Sequence, residues 1–253
     1  MSLAHHVVFR MEDSRPLFLD VHVRRLFSHT VARIGAPFEL LGWGAGDDHA
    51  HTVNLDDLRR ANEFARRIEI ALTRTLRRGI GFKPASVVTI RDQTHLRRSL
   101  RYDIDQPRRH GVQDPFHVGT SLPDVLGARV LAPYLPARIA RYVPNAHLDD
   151  FAPPPGALPD PSDAHFWAEA TRGALARATL RGNDALALDA RRAVLHFAHQ
   201  APLRDLLDAL QISARSLRRL RHRPLPGRSF LRAIELQAGW RNAPAATTSG
   251  AAA

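Results

Sequence analysis

The sequence predicts an α+β fold: a four-stranded, mostly antiparallel sheet with helices in the order β-α-β-β-α-β-α, followed by a helical C-terminal region. Three observations predict it. Short strand-like runs and longer runs with helical spacing follow one another over residues 1–115. The turn Gly44-Ala45-Gly46-Asp47-Asp48 joins two strand-like runs as a hairpin. Hydrophobic residues make up 44% of the 253 positions, enough to build a core.

Residues 3–11, "LAHHVVFRM", are rich in β-formers and read as the first strand. Residues 20–35 carry Val23, Leu26, Phe27, Thr30, Val31 and Ile34 at helical spacing, with Asp20 as N-cap and Gly35 as stop. "FELLGW", 38–43, and "HAHTVNL", 49–55, are the two arms of the hairpin. Asp56 or Asp57 caps a long helix to about residue 78, which Gly79 and Gly81 end. "ASVVTIR", 85–91, is the fourth strand. Thr94 caps a helix that Pro107 should stop just after Gln106, because proline clashes with a preceding helical turn. Beyond residue 115 the pattern is irregular. Residues 116–163 read as a connecting segment, with six prolines between 144 and 163. Residues 164–242 turn helical again, and 243–253, mostly alanine, serine and threonine, read as a disordered tail.

Composition narrows the chemistry. There is no cysteine, so any metal must use histidine, carboxylate or amide ligands. No apolar run approaches membrane-spanning length, and the first residues do not form a signal peptide, so a cytoplasmic protein is expected. The formal charge is +11, which favours a polyanionic partner such as nucleic acid. Only Lys83 of the 36 basic residues is lysine, a skew that also fits a GC-rich coding sequence.

The stretch Asp47-Asp48-His49-Ala50-His51 carries the chemical signal. In a strand, residues two apart share a face, so both imidazoles could reach one metal ion. Asp48 either orients a ligating histidine or is a plain turn residue. Tyr102 and Gln106 are four apart on the later helix and share one of its faces. A tyrosine hydroxyl can act as a nucleophile, and a glutamine carbonyl is a hard ligand for Mg²⁺ or Mn²⁺. Tyr134 and Tyr142 have no ligand-type residue four positions on, only Arg138 and Ala146. His5 and His6 could approach DNA from the first strand, but an ordinary strand role is the stronger reading. Arg97, Arg98 and Arg101 precede Tyr102, and Arg74, Arg77 and Arg78 end the long helix; either set could contact phosphates.

Together these pieces resemble the single-tyrosine HUH transposases, and most closely the REP-associated tyrosine transposases of bacteria. His49-Ala50-His51 matches the His-hydrophobic-His motif, and Tyr102 to Pro107, "YDIDQP", matches the tyrosine helix. The continuation "RRHGVQDP" and the opening "HHVVFRMEDSRPLF" are similar to the family's flanking segments, and about fifty residues separate His51 from Tyr102. The resemblance covers about residues 1–130. It implies a ferredoxin-like HUH endonuclease domain in 1–115, with a metal on His49, His51 and Gln106 polarising a scissile phosphate. It also implies attack by Tyr102 that leaves a 5′-phosphotyrosine and a free 3′-OH on single-stranded or hairpin DNA. A cytoplasmic, nucleoid-associated bacterial enzyme would follow; whether it is a monomer or a homodimer stays open.

The C-terminal region carries a second signal. "LRDLLDAL", 203–210, and "ARSLRRLRHR", 214–223, form a helix-turn-helix pattern capped by Ser213. The second helix presents Arg215, Arg218, Arg219, Arg221 and Arg223, a candidate DNA-reading face. From Arg191 onward, eleven arginines stand against Asp205, Asp208 and Glu235. The alternative to a transposase or nickase is a catalytically inactive, domesticated DNA-binding regulator of the same family. An RNA-binding module of the same sheet topology is a weaker alternative, because the aromatic pattern of RNA-recognition domains is missing.

Overall fold

The computed structural model describes residues 2–13, 16, 18, 20–76, 81–111, 117–151 and 156–243. Arg77, Arg78, Gly79 and most of the expected tail lie outside the described residues. The chain divides into two compact units, Met1–Leu126 with Leu131–Phe151, and Gly127–Val130 with Ala152–Ala253.

The first unit runs β1 (Ala4–Arg10), α1 (Val21–Gly35), β2 (Leu40–Ala45), β3 (His49–Asn54), α2 (Leu58–Leu76), β4 (Ser86–Ile90), α3 (Gln93–Ile104), α4 (Gln106–Arg109), α5 (Leu122–Val125) and α6 (Leu135–Tyr142). The strands form one sheet in the order β2-β3-β1-β4, and every neighbouring pair is antiparallel. The expected α+β class with a four-stranded antiparallel sheet is therefore what the chain forms.

Strand alternation decides which helix covers which face. Val7, Phe9, Trp43 and Ala50 point to one side and pack against Phe27 and Val31 of α1 and Phe64, Ile68 and Leu72 of α2. Ala4, Leu41, Val53 and Ile90 point to the other side and pack against Leu96, Leu100 and Ile104 of α3. Each fully buried aliphatic or aromatic side chain contributes about 1.5–3 kcal/mol relative to exposure. The odd-numbered positions of β3, including His49 and His51, lie with Val53 on the α3 face.

Three local expectations need correction. Asp92, not Thr94, caps α3: its carboxylate accepts from the His95 N–H at 2.8 Å. Pro107 does not end helical structure. It sits in the first turn of α4, where its missing N–H costs nothing. The stretch after residue 115 is not irregular throughout, since α5 and α6 form there. Ser121 ties that stretch to the sheet: its N–H donates to the Trp43 carbonyl and its Oγ accepts from the Trp43 N–H, each at 2.9 Å. Arg138 of α6 donates to the carbonyls of Ala36 and Leu40 at 2.6 and 3.2 Å.

The second unit is helical: α7 (Ala164–Leu175), α8 (Ala185–Phe197), α9 (Leu203–Leu210), α10 (Ala214–Arg221) and α11 (Arg228–Arg241). Its core gathers Trp167, Leu175, Val194, Leu206, Leu217 and Ile234. Trp167 stacks on Phe197 with ring centroids 4.5 Å apart. Gln211 adopts a left-handed conformation (φ 53°) that ends α9, and the Ser213 hydroxyl then caps α10.

Gly44 decides how closely α3 approaches the sheet. A Cβ there would lie 1.6 Å from the Asp103 carbonyl oxygen. Gly44→Ala should therefore displace the end of α3 and cost at least about 2 kcal/mol. Urea unfolding of the variant checks this, and a loss below about 0.5 kcal/mol would contradict the close approach.

Candidate active site

The site is built where β3, β1 and the end of α3 meet. His49 and His51 share a face of β3, with ring centroids 4.5 Å apart and nearly perpendicular planes. In the β1–β3 register Val8 lies opposite His51, which makes His6 the diagonal neighbour of His51 on the same face. The His6 ring stacks on His51 at 5.0 Å and 14°, and His6 Nε2 lies 3.1 Å from His51 Nδ1. His6 Nε2 also lies 2.9 Å from Asp103 Oδ1.

The helix supplies Tyr102 and Asp103 as consecutive residues about 100° apart around its axis. Tyr102 is partly exposed and stands edge-on to His51, centroids 5.3 Å apart. Asp103 is wholly buried at 0% exposure. Gln106 begins α4, is buried, and donates its amide N–H to the Tyr102 carbonyl at 3.3 Å. Its Cγ also lies close to the place a Gly44 side chain would take, and Gly44 pairs with His51 in the sheet. The structure thus gathers Tyr102, His51, His49 and Gln106 in one region, from positions about fifty residues apart. Asp48 meets His49 directly: its Oδ1 lies 2.5 Å from His49 Nδ1. That hydrogen bond holds the Asp48 carboxyl below its ordinary range.

Burial sets the charge states. His51 is pushed down to about 2, by burial first and then by His6, His49 and Arg10, so its imidazole is neutral near pH 7. Burial alone would lower His6 too, but the attraction and hydrogen bond of Asp103 outweigh it and raise His6. Burial raises Asp103 despite the nearby His6. The donor set fits a divalent ion. His51 is a neutral imidazole whose buried Nε2 has no hydrogen-bond partner among the described residues, and the Asp103 carboxylate lies nearby. His6, His51 and Asp103 bring their ligand atoms within 4.8 Å of one another.

An open cleft of about 570 Å³ adjoins Tyr102 and is lined by Arg98, Arg101, Arg108, Arg109, His95 and Phe151, among others. The arginines differ in their freedom. Arg98 is exposed, and Arg97 is half-buried beside Thr94. Arg101 donates to the carbonyls of Ala146 and His147 at 2.8 and 3.0 Å and lies over the Phe151 ring, so it braces the fold. Arg108 pairs with Asp105 through two hydrogen bonds, and Arg109 lies 4.7 Å from the Tyr102 ring centroid. Sequence reasoning did not single out His6 or Asp103 as site residues. The signal was present in the alternation of β1, but only the sheet order reveals that β1 lies beside β3.

In the second unit, Arg215, Arg218, Arg219 and Arg221 of α10 are exposed, while Leu217 and Leu220 are buried. Arg223 is drawn away from that face: its Nε donates to Asp189 Oδ1 at 3.0 Å. No helix among the described residues is long and apolar enough to cross a membrane.

No protein-family model matches the chain, and no curated protein matches it. Among solved structures, that of a REP-associated tyrosine transposase bound to a REP hairpin aligns with 18% identity and a TM-score of 0.35, covering 44% of this chain and 70% of that one.

The neutral, buried state of His51 has a measurable consequence. Below pH 6.5 an unfolded histidine takes up a proton that folded His51 refuses, so folding stability falls with pH from 6.5 towards about 2. The slope from this one group is at most about 1.4 kcal/mol per pH unit. With chelator present, the wild-type chain should lose stability more steeply than His51→Gln between pH 6 and pH 4. Urea midpoints across that range check it, and equal slopes would contradict it.

Proposed function

We propose that the chain cleaves and rejoins single-stranded DNA through Tyr102, acting on hairpin or repeat DNA as an HUH-type transposase or nickase. The observation that carries this reading is the placement of Tyr102 edge-on to His51, one turn before Gln106 and open to an arginine-lined cleft. A hydroxyl nucleophile, imidazole and amide ligands and a cationic strand path are the parts a phosphodiester transfer needs.

On this reading His49, His51 and Gln106 hold Mg²⁺ or Mn²⁺, which when bound acts as a Lewis acid on the phosphate. The Tyr102 oxygen attacks phosphorus while the bond from phosphorus to the 3′ oxygen breaks. The protein becomes joined to the 5′ end, and the tyrosine's proton ends on the released 3′-OH. One phosphodiester replaces another, so no energy cofactor is consumed, and a 3′-OH can reverse the step. Arg98 and Arg109 lie where they can meet the charge of a strand in the cleft. Asp48 fixes the tautomer of His49 through Nδ1 and leaves Nε2 for the ion. Arg215, Arg218, Arg219 and Arg221 of α10 grip the backbone of a duplex stem, while Arg223 and Arg101 serve the fold.

Incubation with hairpin oligonucleotides and Mn²⁺ should give a covalent protein–DNA adduct that Tyr102→Phe abolishes. An adduct that survives the substitution would rule out this nucleophile. Tight hairpin binding with no adduct at all would favour the catalytically inactive regulator. Replacing His49 and His51 together by alanine should lower cleavage at least about a thousandfold while binding stays within a few-fold; unchanged cleavage would sink the metal site.

Replacing the four exposed arginines of α10 by alanine should weaken hairpin binding and flatten its salt dependence, by about 0.9 in log–log slope for each phosphate that is no longer neutralised. An unchanged slope would mean that α10 does not touch DNA.

A further inference from the structure

The cleft beside Tyr102 has two chemically different ends. At the tyrosine end Arg98 is exposed one helical turn before Tyr102, and Arg109 lies 4.7 Å from the Tyr102 ring centroid. These two offer cations to a phosphate. At the other end the wall is Phe151, half-buried at the close of the 3-10 turn Leu148–Phe151. Leu148 anchors that turn in the core beneath α3. The family resemblance of the sequence ends near residue 130, so this wall is not among the features it implies.

Two guanidiniums lie over the Phe151 ring, with Arg101 Cζ 4.7 Å and Arg108 Cζ 5.8 Å from its centroid. Both have their donors committed within the protein. Arg101 Nη1 donates to the carbonyls of Ala146 and His147 at 2.8 and 3.0 Å. Arg108 Nε and Nη2 donate to the two oxygens of Asp105 at 2.7 and 3.2 Å, which offsets its charge and fixes its plane. The Arg108 side chain is nevertheless 64% exposed. What it shows the cleft is a flat face rather than a free cation. An aromatic ring and a flat guanidinium are surfaces on which an unpaired base stacks. A phosphate gains nothing from them, and a paired base keeps its faces inside the duplex. The cleft volume of about 570 Å³ falls in the size range of small-molecule pockets and leaves room for a nucleotide.

We propose that Phe151 and Arg108 form a stacking site for one unpaired base next to the phosphate that faces Tyr102, so that the cleft selects DNA whose strand is open at that nucleotide. This rests on the single-strand reading above and adds a subsite to it. Arg108 and Arg109 are consecutive and both pair with Asp105, so the base end and the phosphate end adjoin. Stacking accepts any base, because every base has a π face. The site therefore reads that the nucleotide is unpaired, not which base it carries.

The test is equilibrium binding of hairpin oligonucleotides to the full chain, with chelator present so that no strand is cut. One abasic site is moved along the single-stranded flank. At one position it should weaken wild-type binding by about tenfold, a penalty of the size base–aromatic stacking gives. Pairing that nucleotide with a complementary strand should cost as much, and 2-aminopurine placed there should lose fluorescence on binding. Phe151→Leu keeps the apolar bulk and removes the π face, so intact and abasic strands should bind it alike, within about twofold. Phe151→Trp should keep the penalty. No penalty above about twofold at any position, or a full penalty retained by Phe151→Leu, would overturn the proposal. Should Phe151→Leu fail to fold, Arg108→Lys decides, since it keeps the charge and removes the plane. A penalty cut at least about threefold supports the site, and an unchanged one overturns it. A chain that forms the adduct but shows no abasic penalty loses this subsite and keeps the strand-transfer reading. Base-dependent binding in a chain that forms no adduct does the reverse.

Discussion

The arrangement depends on the close approach of the Asp103 backbone to Gly44. A helix normally stands about 10 Å from a sheet because side chains separate the two. Here β2 offers a residue with no side chain, and the carbonyl of Asp103 occupies that space. The approach drives the Asp103 carboxylate beneath the sheet-borne histidines and leaves Tyr102, one residue earlier, at the surface. It also brings Gln106 against the strand that pairs with His51. Remove the approach and the hydrophobic faces could still pack, but the polar residues of α3 would no longer reach those of β1 and β3.

Much of this was legible in the sequence. The hairpin, the long helix after Asp57, and the shared face of His49 and His51 follow from alternation, capping and turn residues. So does the Ser213 cap, because a serine before a leucine-spaced basic run has few other uses. The errors were local. Asp92 outcompeted Thr94 as a cap because its carboxylate reaches the His95 N–H. Pro107 opened a turn instead of closing one. The irregular look of residues 115–142 hid α5 and α6, whose short apolar stretches are stabilised by tertiary contacts such as Ser121 with Trp43 rather than by periodicity of their own.

The site was less legible than the fold, for a geometric reason. Periodicity tells which residues share a face of one strand, but not which strand lies alongside. His6 looked like a strand residue until the sheet order placed β1 between β3 and β4. Nothing in the sequence around Asp103, between Tyr102 and Ile104, marks it as buried; the seating of α3 on the sheet does that. The arginines show the converse problem. Arg101 and Arg223 carry the same charge as Arg98 and Arg219, yet one braces carbonyls of its own unit and the other pairs with Asp189. Charge in a sequence marks candidates; only hydrogen-bonding partners separate a brace from a free cation.

The Tyr102 backbone is held on both sides, by the Gln106 amide on its own carbonyl and by the seating of the next residue against Gly44. The residue that would carry the nucleophile is therefore a fixed post rather than a swinging arm. If strands are exchanged at this tyrosine, the DNA must do the travelling. One end would leave the cleft and another arrive while the protein holds still, and the rate of exchange would then follow the looseness of the DNA ends more than any motion of the chain.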